Sequence, residues 1–380
     1  MKFDYISRII GFVTILCSLM SCSSQKLDIL SKIEKPNRGR LQNIWTKNLD
    51  PIYETGNLPI TTGAPFIHAE MVYQGDQSGD FMAYDLETGR VVWEESDNQP
   101  INSQANIYED QVVYGTSFGR LISRHYYTGE KKWAIDLGES IESQPIMFQG
   151  RIIIHVRDHR IVCLDAATGK IFWNYQRSIP FATTLQKVAK VLPLGNRLIL
   201  GFADGYVVAL SLEEGLSTWE TKLNNGNRFI DVDNRAIYFD SSIVVSSTLS
   251  GVNYINPQNG QITKTIPLNS YISPLILEGG LLVGTINGEI VRLNIDGKED
   301  FRRKISEDSI SSMALLGKSQ LSLTTMKGEL LIIDRKSFAI NHKRHLGSFS
   351  HSSVFSEIVS YENYLALLSS RNRLYIYKLL

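Results

Sequence analysis

Cysteine is nearly missing from this chain. Of 380 residues only Cys17, Cys22 and Cys163 are cysteines, so beyond residue 22 a single thiol remains and no internal disulfide can form. Excess charge is missing too: 39 basic residues balance 39 acidic ones. That excludes a basic field for nucleic acid and an acidic field for cationic partners. Catalytic signatures are absent. There is no Gly-x-Ser-x-Gly elbow, no His-Glu-x-x-His pair and no phosphate-binding loop. His342, His345 and His351 are the one histidine cluster, and no Asp or Cys completes a ligand set around them. No metal, no cofactor and no catalytic residue is therefore expected, and the protein reads as a non-enzyme.

What is present begins with a targeting segment. Lys2 and Arg8 flank a short start, 9–20 is apolar, and Leu19-Met20-Ser21-Cys22 follows. The apolar run is too short for a permanent spanning helix. Small residues before a cysteine resemble the lipobox of bacterial lipoprotein signals. That resemblance implies cleavage after residue 21, lipidation (palmitate included) at Cys22, and a tether over 22–39. Ser23 in place of Asp resembles sorting to the outer membrane, facing the periplasm. The expected organisation is a signal at 1–21, a tether at 22–39 and one folded body at 40–380.

That body is a repeat. The stretch GDFMAYDLETGRVVW at 79–93 alternates apolar and polar residues on either side of an Asp-x-x-Thr-Gly turn. It returns at 118–133, 158–173 and 204–219, and in weaker form at 250–264, 287–297, 327–338 and 371–380. The first positions of the copies are 40, 40, 46, 46, 37, 40 and 44 residues apart. Another pair of short apolar runs precedes each copy, as at 144–148 and 151–156. A period near 40 with four short strands per unit predicts an all-β, eight-bladed propeller.

The five tryptophans predict how the ring closes. Trp93, Trp133, Trp173 and Trp219 share one place in the repeat, while Trp45 lies before the first copy. The eighth copy stops at Leu380, where its last strand should begin, so 40–49 is expected to supply that strand and remove the open edges. Ten residues before each repeat tryptophan stands a small residue: Ala83, Ser123, Cys163 and Ala209. A broad indole needs such a neighbour. Cys163 is thus a packing residue. The two spacings of 46 place extra loop residues at 178–191 and 222–234, and insertions in repeat proteins gather on a binding face.

The motif at 83–93, Ala-x-Asp-x-x-Thr-Gly-x-x-x-Trp, resembles the blade motif of quinoprotein-type (PQQ-like) propellers. The combination with a lipobox, one ring and no catalytic constellation resembles the BamB family of lipoproteins that assist assembly of outer-membrane β-barrels. The resemblance implies docking on the POTRA domains of a BamA-like barrel subunit, with unfolded outer-membrane proteins as possible clients. It places the partner patch at Asp231 and Asp233, with Phe181, Leu185 and Arg228 beside them. The family's Leu-x-Leu-Arg segment is only partly matched, since Lys187 stands near its arginine position. Two alternatives stay open: a quinone-dependent periplasmic dehydrogenase, against which the lack of adjacent cysteines counts, and a ligand- or glycan-binding propeller lipoprotein.

Overall fold

The computed structural model describes residues 40–50, 63–179, 188–223, 231–347 and 352–380. Residues Leu41–Leu380 form one compact unit. Its described strands make eight four-stranded antiparallel sheets, seven of them ordered first to fourth along the chain. These are blades one (66–96), two (106–136), three (146–176), four (192–222), five (237–266), six (275–304) and seven (310–345). Blade eight joins Val359–Tyr361, Tyr364–Ser369 and Arg373–Leu379 to Leu41–Asn48. First strands lie against one another between blades two and three, seven and eight, and eight and one, which puts the first strands at the axis. Fourth strands are the most exposed and form the rim.

Closure follows the predicted route. Leu41 faces Leu379 and Asn48 faces Arg373, with a bulge between Asn43 and Trp45. Trp45 is 9% exposed, and its indole N–H donates to the Leu86 carbonyl of blade one at 2.9 Å. The first and last blades are thereby joined through one side chain.

The repeat tryptophans explain the neighbouring small residues. Ala83, Ser123, Cys163 and Ala209 are the direct cross-strand partners of Trp93, Trp133, Trp173 and Trp219. Each pair stands beside a bulge, and the indole leans towards the following blade. There it covers that blade's turn glycine. A Cβ at Gly89 would lie 2.7 Å from Trp45, and one at Gly215 would lie 2.4 Å from Trp173. These glycines also have positive φ, 67° and 70°. Two requirements, one steric and one conformational, therefore fall on the same residue.

Because every sheet is antiparallel, its turns divide between two faces of the ring. The turn after the first strand and the turn after the third open on one face, the hairpin face. The turn after the second strand and the connection to the next blade open on the other, the connection face. Both insertions are blade-to-blade connections, so both emerge on the connection face, on the two flanks of blade four.

Candidate functional site

The site begins with the turn between the second and third strands of blade four. Phe202 is buried there, and it anchors both insertions. From the connection that leaves blade three, the Arg177 guanidinium lies over the rings of Phe202 (5.2 Å) and Tyr206 (4.7 Å). Arg177 is fixed by Asp204 at 2.7 Å and Glu220 at 2.9 Å. From the connection that leaves blade four, the Val232 N–H donates to the Phe202 carbonyl at 3.1 Å. Val232 packs on Gly201, where any Cβ would fall 2.1 Å from the Val232 oxygen.

Asp231 and Asp233 flank that buried valine. They lie ahead of the first strand of blade five, which starts at Ile237. Asp231 is buried at 5% exposure and Asp233 is half-buried. Asn234 fixes the end of the segment by donating to the carbonyls of Ser246 (3.0 Å) and Ser270 (3.3 Å). Of the two acids, Asp233 is the one presented on the connection face. Phe181, Leu185 and Arg228 lie outside the described residues, as does Cys22.

The other end of the first insertion is also pinned. The buried His155 Nδ1 donates to the Ala189 carbonyl at 3.1 Å. Its ring packs on Phe202 and on His159, with centroids 5.2 and 5.8 Å apart. His159 occupies the place that glycine holds in most copies, at φ 63°. Burial pushes the His155 imidazole down to about 3 and lowers His159 as well. Among the described residues, His155 Nε2 and His159 Nδ1 have no hydrogen-bond partner.

Lys190 then reaches across the axis. Its ammonium donates to Gln104 Oε1 at 2.8 Å and to Glu357 Oε2 at 2.7 Å. Gln104 leads into blade two and Glu357 into blade eight, and blades four and eight stand opposite each other in the ring. A charged crossbar thus bridges the axial mouth on the connection face. No group of three or more His, Cys, Asp or Glu side chains able to hold a metal occurs among the described residues. Phe202, Arg177, His155 and Lys190 carry no motif, and only contacts between distant copies reveal them. The arrangement braces the described ends of two connections against one turn of blade four.

Comparison with known proteins agrees with this architecture. A family model described as outer membrane protein assembly factor BamB matches residues 36–117 and 97–299. The outer membrane protein assembly factor BamB of Legionella pneumophila (strain Paris) is 25% identical over 178 residues, 45% of this chain. The match spans 41% of that relative's length. The crystal structure of BamB from Moraxella catarrhalis superposes with a TM-score of 0.73 at 18% identity, covering 89% of this chain and 100% of that one. The quinohemoprotein alcohol dehydrogenase of Comamonas testosteroni reaches 0.71 at 12% identity, covering 92% of this chain and 78% of that one. At such identities the structural likenesses show the shared ring alone. The family model covers well over half the chain, and on that ground the chain belongs to the BamB family of PQQ-like propellers.

Proposed function

We propose that this chain is a non-catalytic scaffold lipoprotein of the outer-membrane β-barrel assembly machinery. It is anchored through Cys22, faces the periplasm, and docks on the POTRA domains of a BamA-like barrel subunit to aid delivery of barrel proteins. The observation that carries the reading is the placement of both insertions on one face, braced against the same Phe202 turn, in a chain of the BamB family. Asp233 supplies the accessible acid. Phe181, Leu185 and Arg228 belong to the same two connections by sequence.

The burial of Asp231 decides how the docking is tested. An arginine at 231 would strand a charge in the interior, whereas Asp233 has access to solvent. Asp233→Arg is expected to abolish co-purification of the barrel subunit from detergent-solubilised membranes while leaving the unfolding midpoint unchanged. Undiminished co-purification would remove the assignment.

A further inference from the structure

The hairpin face carries an asymmetry that the docking reading does not use. Most of its turns are acidic: Glu70, Glu109, Glu213, Glu214, Glu278 and Glu362 all sit in them. Single cations stand in the second turns of blades one, three and six, at Arg90, Lys170 and Lys298, but blade seven differs from all of them. It alone carries cations in both of its hairpin turns, Lys318 in the first and Arg335 and Lys336 in the second. The acid that opens the second turn, Asp334, is occupied by the N–H groups of Lys336 and Ser337. Among the described residues the three cations enter no ion pair. Lys318 and Lys336 are exposed.

The chain joins the ring beside this blade and on this face. Leu41 pairs with Leu379, at the end of the third strand of blade eight, and that end opens on the hairpin face. Arg40, exposed, stands just before it. Whatever holds the N-terminal segment therefore holds the hairpin face at blade eight. Residues 23–40 connect Cys22 to that point, and fully extended they span at most about 65 Å. A leash this short keeps the ring at an effective concentration on the order of millimolar at the anchoring surface.

We propose that the turns of blade seven rest on the anionic phospholipid headgroups of the membrane to which the chain is anchored. The lipid phosphates are the ligand for Lys318, Arg335 and Lys336. The acidic turns of blades one, two, four, five, six and eight are repelled by the same surface, so the ring stands tilted on blade seven and its connection face points away from the lipid. Each surface cation contributes about a fivefold gain in attachment, and the attraction fades as salt shortens its range. The inference rests on the anchored reading above, but adds an orientation to it.

The test uses the full chain isolated from membranes and placed on vesicles, either of phosphatidylcholine alone or with phosphatidylglycerol added. An amine-acetylating reagent that does not cross the bilayer is applied, and modification is read lysine by lysine by mass spectrometry. Lys318 and Lys336 are expected to react severalfold more slowly on the phosphatidylglycerol vesicles, with the difference erased at high salt. Lys327, on the connection face of the same blade, is expected to react equally on both. Equal rates for Lys318 and Lys336 on the two vesicles, or protection of Lys327 in their place, would overturn the proposal. The mass of the N-terminal peptide from the same digest reports lipidation at Cys22 separately, so loss of the anchor and loss of the orientation are distinguishable.

Discussion

Blades eight and one to four solve the junction between neighbours in one way, and blades five to seven in several. In the first group an indole covers the next blade's turn glycine. Trp45, Trp93, Trp173 and Trp219 also donate to a backbone carbonyl of that turn at 2.9–3.1 Å. Trp133 keeps the packing but gives its N–H to Gln111 of its own blade, at 2.9 Å. In the second group the tryptophan place is held by Lys264, Phe301 and His342. Lys264 reaches the Asp296 carbonyl of the next blade. Phe301 stacks on Phe338 with centroids 4.7 Å apart, and Phe338 takes the glycine place at φ 55°. The backbone turn survives the exchange, with Phe338 N–H still donating to Asp334 O at 2.9 Å. The architecture thus demands a filled junction and a closed turn, and does not demand one residue type.

The comparison can be broken most severely at the closure. Trp45→Ala is expected to cost about 3–5 kcal/mol, read as a shift in the guanidinium unfolding midpoint. It removes the indole, its hydrogen bond and the cover of Gly89 together. Phe301→Ala should fall at the low end of that range, because Phe301 bridges two blades that are already joined through the chain. Equal losses would mean that closure has no special weight. A smaller effect is expected at a turn. Gly215→Ala forces a Cβ against Trp173 at a positive φ, and should cost about 1–3 kcal/mol. The same change at Gly195, which has open space around it, keeps only the conformational penalty of about 1 kcal/mol.

Acid should separate the two groups more gently. His155 is held neutral in the fold down to about pH 3, whereas an unfolded histidine takes its proton near pH 6.5. Between those values the unfolded chain binds more protons, so stability falls as pH drops through 6.5 and levels off near 3. The expected loss is about 2 kcal/mol at pH 5. Hydrogen exchange should show it in blades three and four ahead of blades six and seven, and His155→Gln should abolish the difference.

Much of the ring was legible because its signals are local. A turn motif and an alternating strand fit together inside fifteen residues, and the pair returns about every 40. The orphan Trp45 was legible because one indole too many stood outside the repeat. The small residue ten places before each tryptophan was legible as a fact, and the pairing shows it to be the indole's cross-strand partner. The positive φ of each turn glycine was legible, but its steric reason was hidden, since the indole above it comes from the preceding blade, some 40 residues away. Phe338 was hidden because a turn is recognised by its glycine, and here a bulky residue adopts the same φ. At the candidate site, the lengths of 178–191 and 222–234 were readable. What braces them was not: Arg177 on Phe202, and His155 on Ala189, are contacts across strands with no sequence pattern.

The Lys190 crossbar decides what the centre of the ring is for. A polypeptide could pass through the hub only by parting Lys190 from both Gln104 and Glu357 and desolvating its own backbone on the way. The hub of the wheel is therefore built as a strut and not as a passage.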